Sequence, residues 1–304
     1  MRKLIWTACL AVWPLTFLVA QNIIPMDVRD GAAVGFRWQG DSIHGEWEPH
    51  AAMLIPVTLQ HCPRQFFMQF DLGAPASILY KNKIDAIRAR YPAAMPDTDS
   101  LRRFTFQSGK ATITAPAIAV KQFDSTSIDW RSRRPEIIGT IGGDLLLNRV
   151  AVIDYPKRRI TLRSSVPPNI GLFDFTYAHN RILLPASIDG RETLLFFDTG
   201  SSMFELLTDP QTCSRMASPG AEARRFPVGS WGRTLTAFTF PAKGNVRLAG
   251  VSIPIRAVSC MEGTDPRQAA FMAQLGIGGM TGNKLFLHNI LVLDTKHQRF
   301  GLAP

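Results

Sequence analysis

Signatures of metal and nucleotide chemistry are missing from this chain. Four cysteines and six histidines are too few and too scattered for the chemistry they usually serve. Their spacings match no zinc site. His61, His179, His288 and His297 fall at turns or strand ends, outside any Ser/His/Asp or Cys/His arrangement. No glycine-rich phosphate loop occurs. The expectation is therefore chemistry without a cofactor and without a metal. Charged residues make up only 19% of the chain against 46% hydrophobic, which excludes a disordered chain and implies packed cores. The formal net charge is +10. The basic residues nevertheless come as scattered pairs (Arg102-Arg103, Arg133-Arg134, Arg224-Arg225), with neither a basic helix nor basic–aromatic alternation. Nucleic acid is thus a poor partner, whereas acidic substrates or an anionic envelope surface fit the charge.

Long hydrophobic runs are absent after the first twenty residues. There, Arg2 and Lys3 precede an apolar stretch from Leu4 to Ala20, the pattern of a secretory signal peptide (1–20), with an uncleaved anchor as the alternative. An exported chain, periplasmic or secreted, follows from it. Export would place Cys62, Cys213 and Cys260 in an oxidising compartment. Cys213 and Cys260 share one half of the chain and form a possible disulfide, leaving Cys62 over; three unpaired thiols is the other reading.

What is present is an internal repeat. Phe70-Asp71-Leu72-Gly73-Ala74 and Phe197-Asp198-Thr199-Gly200-Ser201-Ser202 each close an apolar strand. Ile55-Pro56-Val57-Thr58-Leu59 precedes the first and Leu184-Pro185-Ala186-Ser187-Ile188 the second, and each reads as the opening strand of a hairpin. Ile138-Gly139-Thr140-Ile141-Gly142-Gly143 is matched by Leu275-Gly276-Ile277-Gly278-Gly279. Both halves end on a strand, a turn and a strand: Val150 to Asp154 then Arg159-Ile160-Thr161-Leu162, and Ile290 to Asp294 then Arg299-Phe300-Gly301-Leu302. Asp154 and Asp294 read as turn caps.

With these motifs, residues 51 to 304 resemble the aspartic proteases of the pepsin and retropepsin type. The halves are closer in size to retropepsin subunits, so the chain looks like two such units fused, similar to small bacterial aspartyl-protease-like proteins. The resemblance implies an all-β fold of two β-barrel-like lobes related by a pseudo-twofold axis, with a few short helices. The expected division is an N-terminal extension (21–50), an N-terminal lobe (51–165), a linker (166–180) and a C-terminal lobe (181–304), in a monomer. Asp71 and Asp198 would be the catalytic pair, supported by Gly73, Thr199, Gly200 and Ser201. Hairpins at Ser108-Gly109 and at Trp231, each about 30 residues after its Asp, would be flaps over a peptide or protein substrate.

Two readings of function follow. One is an aspartic endopeptidase, in which two close carboxylates share a proton and activate one water. The other is a weak or inactive peptide-binding protein on the same fold. Leu72 favours the second, because active relatives usually place a hydroxyl there to brace the opposite turn.

Overall fold

The computed structural model describes residues 23–43, 45–95, 100–122, 125–178, 180–230 and 233–304. The signal segment and Trp231 lie outside the described residues.

The first half contains β1 (Asp27–Val28), β2 (Ala32–Gly35), β3 (Arg37–Ile43), β4 (Glu46–Leu59), β5 (Gln65–Phe70), β6 (Ile78–Tyr80), α1 (Lys81–Arg90), β7 (Ser100–Ser108), β8 (Ala111–Lys121), β9 (Ile137–Ile141), β10 (Val150–Asp154) and β11 (Arg159–Arg163). The second contains β12 (Phe173–Asp174), β13 (Thr176–Ala178), β14 (Arg181–Ile188), β15 (Arg191–Phe197), β16 (Leu207–Thr208), α2 (Pro210–Met216), β17 (Arg224–Ser230), β18 (Arg233–Leu248), β19 (Val251–Glu262), α3 (Pro266–Gln274), β20 (Ile277–Thr281), β21 (Ile290–Asp294) and β22 (Arg299–Ala303). The fold is all-β and two-lobed. Each lobe carries an eight-stranded sheet, and a six-stranded sheet joins them in the order β12-β22-β21-β10-β11-β2.

The joining sheet contains the pseudo-twofold axis. β10 and β21 pair antiparallel with Val152 opposite Val292. Covered on both faces, these strands read as continuous apolar runs rather than alternating ones. Each ends in the expected cap: Asp154 Oδ1 accepts from Lys157 N at 2.9 Å, and Asp294 Oδ1 from His297 N at 3.0 Å. The following turns need a left-handed residue, supplied by Arg158 (φ 51°) and Gln298 (φ 54°).

Each lobe then repeats one interleaved pattern. β4 and β5 form an antiparallel hairpin, and β9 returns to run parallel to β5. In the second lobe β14, β15 and β20 do the same. Phe70 sits beside Ile141, and Phe197 beside Thr281. This register shifts the repeat read from sequence by three residues. Gly139 matches Gly279, and Gly142 matches Gly282, not the Gly276-to-Gly279 stretch. Gly276 instead closes the turn after α3 at φ 72°.

The extension carries three strands and the start of β4. β1 pairs with β8, β2 enters the joining sheet, and β3 lies along β4. The linker contributes β12 and β13, paired with β22 and β14. A single large core, from Phe36 and Met53 to Phe286 and Phe300, runs through both lobes. A second cluster (Leu183, Phe196, Phe204, Phe226 and neighbours) lines the face of the C-terminal lobe that carries Asp198.

Candidate active site

Asp71 and Asp198 each follow the last residue of a central strand, β5 or β15. Their backbones are held alike: Asp71 N donates to Ile141 O and Asp198 N to Thr281 O, both at 2.9 Å. Each carboxylate then gathers the turn that follows it. Asp71 Oδ1 accepts from Gly73 N at 2.9 Å and Ala74 N at 3.2 Å. Asp198 Oδ1 accepts from Gly200 N at 2.8 Å, and Ser201 Oγ donates to Asp198 Oδ2 at 2.9 Å. Ala74 has no hydroxyl for the matching bond.

The two turns meet across the axis. A Cβ on Gly73 would stand 2.6 Å from Asp198 Oδ1, and one on Gly200 would stand 2.5 Å from Asp71 Cγ. Each glycine therefore lies against the opposite carboxyl, where no side chain fits. Asp71 acts on the Asp198 carboxyl as a polar neighbour that lowers it, a contact between two acids that a shared proton makes favourable. Both residues are 0% exposed. Burial raises the Asp198 carboxyl above its ordinary value, partly opposed by its bonds to Asp71, Ser201 and Gly200.

Thr199 braces the pair from one side only. Its Oγ1 accepts from Leu72 N at 2.8 Å and donates to Phe70 O at 2.9 Å. Leu72 is fully buried in the main core and returns no side-chain bond. The asymmetry expected from the sequence is thus built into the turns.

Several supporting residues escaped the sequence reading. Asn283 Nδ2 donates to Thr199 O at 2.9 Å and to Ser202 Oγ at 3.1 Å, and Tyr155 Oη donates to Asn283 Oδ1 at 2.9 Å. In the first lobe Ser77 takes the supporting role. Its Oγ and N donate to Asp144 at 2.7 and 2.9 Å, and its Oγ accepts from Gly142 N at 2.9 Å. Asn283 directly follows Gly282, a position hidden by the three-residue shift, whereas Ser77 lies in the loop between the Asp71 turn and β6 and carried no signal of its own. Arg181 is a further addition. The β14–β15 register, continued by one pair from Ile182 opposite Phe197, sets it across from Asp198. Burial lowers the Arg181 guanidinium pKa, and the Asp198 charge opposes that shift.

The two expected flaps are not equivalent. β7 pairs with β4 at Gln107 and Thr58, as β18 pairs with β14 at Arg247 and Ser187. The Ser108-Gly109 turn therefore matches the β18–β19 turn at Ala249-Gly250, not the β17–β18 turn at Trp231. Continued, its register sets Ser108 and Gly109 level with Val57 and Pro56, roughly 15 Å back from Asp71 along β5. This turn does not reach over the paired acids. Similar alternation and spacing made the two hairpins look alike; strand pairing separates them. The first-lobe counterpart of the β17–β18 turn falls just ahead of β7, at 96–99, outside the described residues.

Cys62, Cys213 and Cys260 are free thiols in this structure, so the expected bridge is not made. Cys213 and Cys260 are nonetheless neighbours: burial first, then Cys260, pushes the Cys213 thiol well up. Among the described residues, no three His, Cys, Asp or Glu side chains gather as a metal site. No helix among them is long and apolar enough to cross a membrane.

No protein-family model and no curated protein sequence matches the chain. Among solved structures it is similar to an aspartic proteinase from Irpex lacteus, at 14% identity and a TM-score of 0.48, over 90% of this chain and 97% of that one.

Proposed function

We propose that the chain is an aspartic-type endopeptidase that hydrolyses peptide bonds with a water held between Asp71 and Asp198. The observation that carries this reading is the reciprocal seating of each carboxyl against the opposite glycine. It sets two buried acids against the same pair of turns, where only one ionises readily. The ionised member takes a proton from water as the water attacks the carbonyl carbon. The protonated member hydrogen-bonds the carbonyl oxygen and later protonates the leaving nitrogen. The proton belongs to the pair, and its two ionisations are properties of the pair. In this reading the substrate is a peptide or protein and the chain acts as a monomer, and the basic-then-apolar opening of the sequence supports export.

Incubation with a mixed peptide library from acidic to neutral pH tests this reading. Asp71→Asn and Asp198→Asn are each expected to lower cleavage by about 10²–10⁴-fold while the fold is retained. Cleavage at wild-type rate in either variant overturns the shared-water reading. The second reading, a peptide-binding protein on the same fold, is favoured by Leu72, which leaves the brace one-sided. Tight binding of peptides that are never cut is its outcome.

A further inference from the structure

Along β5 the side chains alternate, so Gln65, Phe67 and Gln69 share the face that presents Asp71. Across the sheet, Leu54 pairs with Gln69, and Arg37 on β3 pairs with Leu54. A trough of about 340 Å³ lies on this face, lined by Arg37, Arg64, Gln65, Phe67, Arg133 and Arg134, together with Ser132 and Pro135. Four of its eight lining residues are arginines and none is acidic.

The guanidinium groups are positioned rather than merely exposed. Arg37 stands over the Phe67 ring at 5.3 Å, and Arg64 over the Trp130 ring at 5.4 Å. Arg64 also donates to Asp129 O at 2.9 Å and to Ser132 O at 3.2 Å. The two acidic side chains beside this loop are engaged elsewhere. Glu136 pairs with Lys83 at 3.1 Å, and the Asp129 carboxylate accepts from Arg131 N and Ser132 N. Among the described residues, none of the four arginines pairs with a carboxylate. Like charges therefore converge without an internal counterion. Ring stacking and backbone bonds fix two of them, which favours carboxylates that arrive from outside.

We propose that this trough is an acidic-residue subsite, selecting peptide substrates with Glu or Asp about four residues from the bond to be cut. The inference rests on the endopeptidase reading for the meaning of that position. Phe67 is four residues from Asp71 along β5, roughly 13 Å at the rise of a strand, and an extended peptide crosses that distance in the same number of residues.

Three fluorescent peptides test it, identical except for Glu-Glu, Gln-Gln or Lys-Lys four and five residues from a central apolar pair. Binding is read by anisotropy on Asp198→Asn chain and cleavage on wild type, each at low and high salt. The double variant Arg133→Glu/Arg134→Glu changes exposed loop positions outside the catalytic pair. The Glu peptide is expected to bind roughly tenfold more tightly than the Gln peptide, with the margin shrinking in salt and vanishing in the double variant. Equal binding of the Glu and Gln peptides overturns the inference, as does a preference that survives in the double variant. Selective binding without cleavage on wild type upholds the subsite and overturns the endopeptidase reading. Cleavage without selectivity does the reverse.

Discussion

Gly200 is packed against the carboxyl of Asp71, so that a methyl group on it would overlap both Cγ and Oδ1 at 2.5 Å. The obstruction is a fully buried carboxyl, not the loose end of a surface side chain. Gly200→Ala must therefore push the two turns apart. The expected cost is about 1–3 kcal/mol of stability, as for other overpacked cores. Cleavage should suffer more than stability, because a displacement near 1 Å costs about 10²-fold in a positioned reaction. Gly73→Ala, facing Asp198, should behave alike. Urea unfolding beside cleavage rates checks both. Full activity in either alanine variant would mean that the turns do not meet as described.

Thr199 offers a second test, because one hydroxyl serves two backbone groups of the opposite turn. Thr199→Val keeps the shape and removes the acceptor for Leu72 N and the donor to Phe70 O. An orphaned buried amide costs about 1–3 kcal/mol, so a loss in that range is expected, with Thr199→Ser close to wild type. Denaturant melts of the three proteins give the comparison. A valine variant as stable as wild type would show that the brace contributes nothing.

Much of this architecture was legible because apolar strands and Asp-x-Gly turns are local. Asp71, Asp198, their glycines, Thr199 and Ser201 come together as the repeat implied, and Leu72 packs in the core as its side chain dictates. What was not legible depends on strand register. The Ser108-Gly109 and Trp231 hairpins have the same alternation, and only pairing with β4 and β14 reveals that they occupy different places. Asn283 is an ordinary polar residue until β20 delivers it beneath the Thr199 turn, and Ser77, just ahead of β6, until Gly142 and Asp144 at the end of β9 reach it. The extension shows no single period in sequence because its first strands are short and are divided between two sheets.

The cysteine pair yields a prediction about compartment. Cys213 on α2 and Cys260 on β19 are neighbouring thiols, whereas Cys62 lies in the other lobe. Chain recovered from an oxidising compartment should contain one bridge, joining Cys213 to Cys260, with Cys62 alkylatable after unfolding. Such a loop closure is typically worth about 2–4 kcal/mol, and reduction should lower the melting temperature accordingly. Non-reducing peptide mass analysis reads the linkage directly. Three alkylatable thiols in exported chain would exclude the bridge.

Two buried carboxyls act on stability in opposite directions as pH changes. Burial alone would raise Glu48, but hydrogen bonds from His50 and Lys284 and the Lys284 charge outweigh it and bring Glu48 from 4.5 to about 2. Lys284 Nζ stands 2.7 Å from Glu48 Oε2, joining β4 to the segment just after β20, next to Asn283. The folded state thus holds this carboxylate ionised more readily than the unfolded chain. Its contribution is full above about pH 4.5 and is lost as pH falls through about 2. Asp198 has the reverse sign. Its folded value is raised above 3.8, so the folded state favours the proton, and stability falls as pH rises through that raised value. Glu48→Gln should therefore be less stable than wild type at neutral pH and indistinguishable from it near pH 2. Asp198→Asn should be more stable than wild type at neutral pH, with the gap closing in acid. Melting curves of the three proteins between pH 2 and pH 7 give the signs directly. A Glu48→Gln deficit that persists unchanged at pH 2 would show that the ion pair is not its cause. An Asp198→Asn variant that gains nothing at neutral pH would show that the paired acids carry no burial penalty, and with it remove the reason for a shared proton.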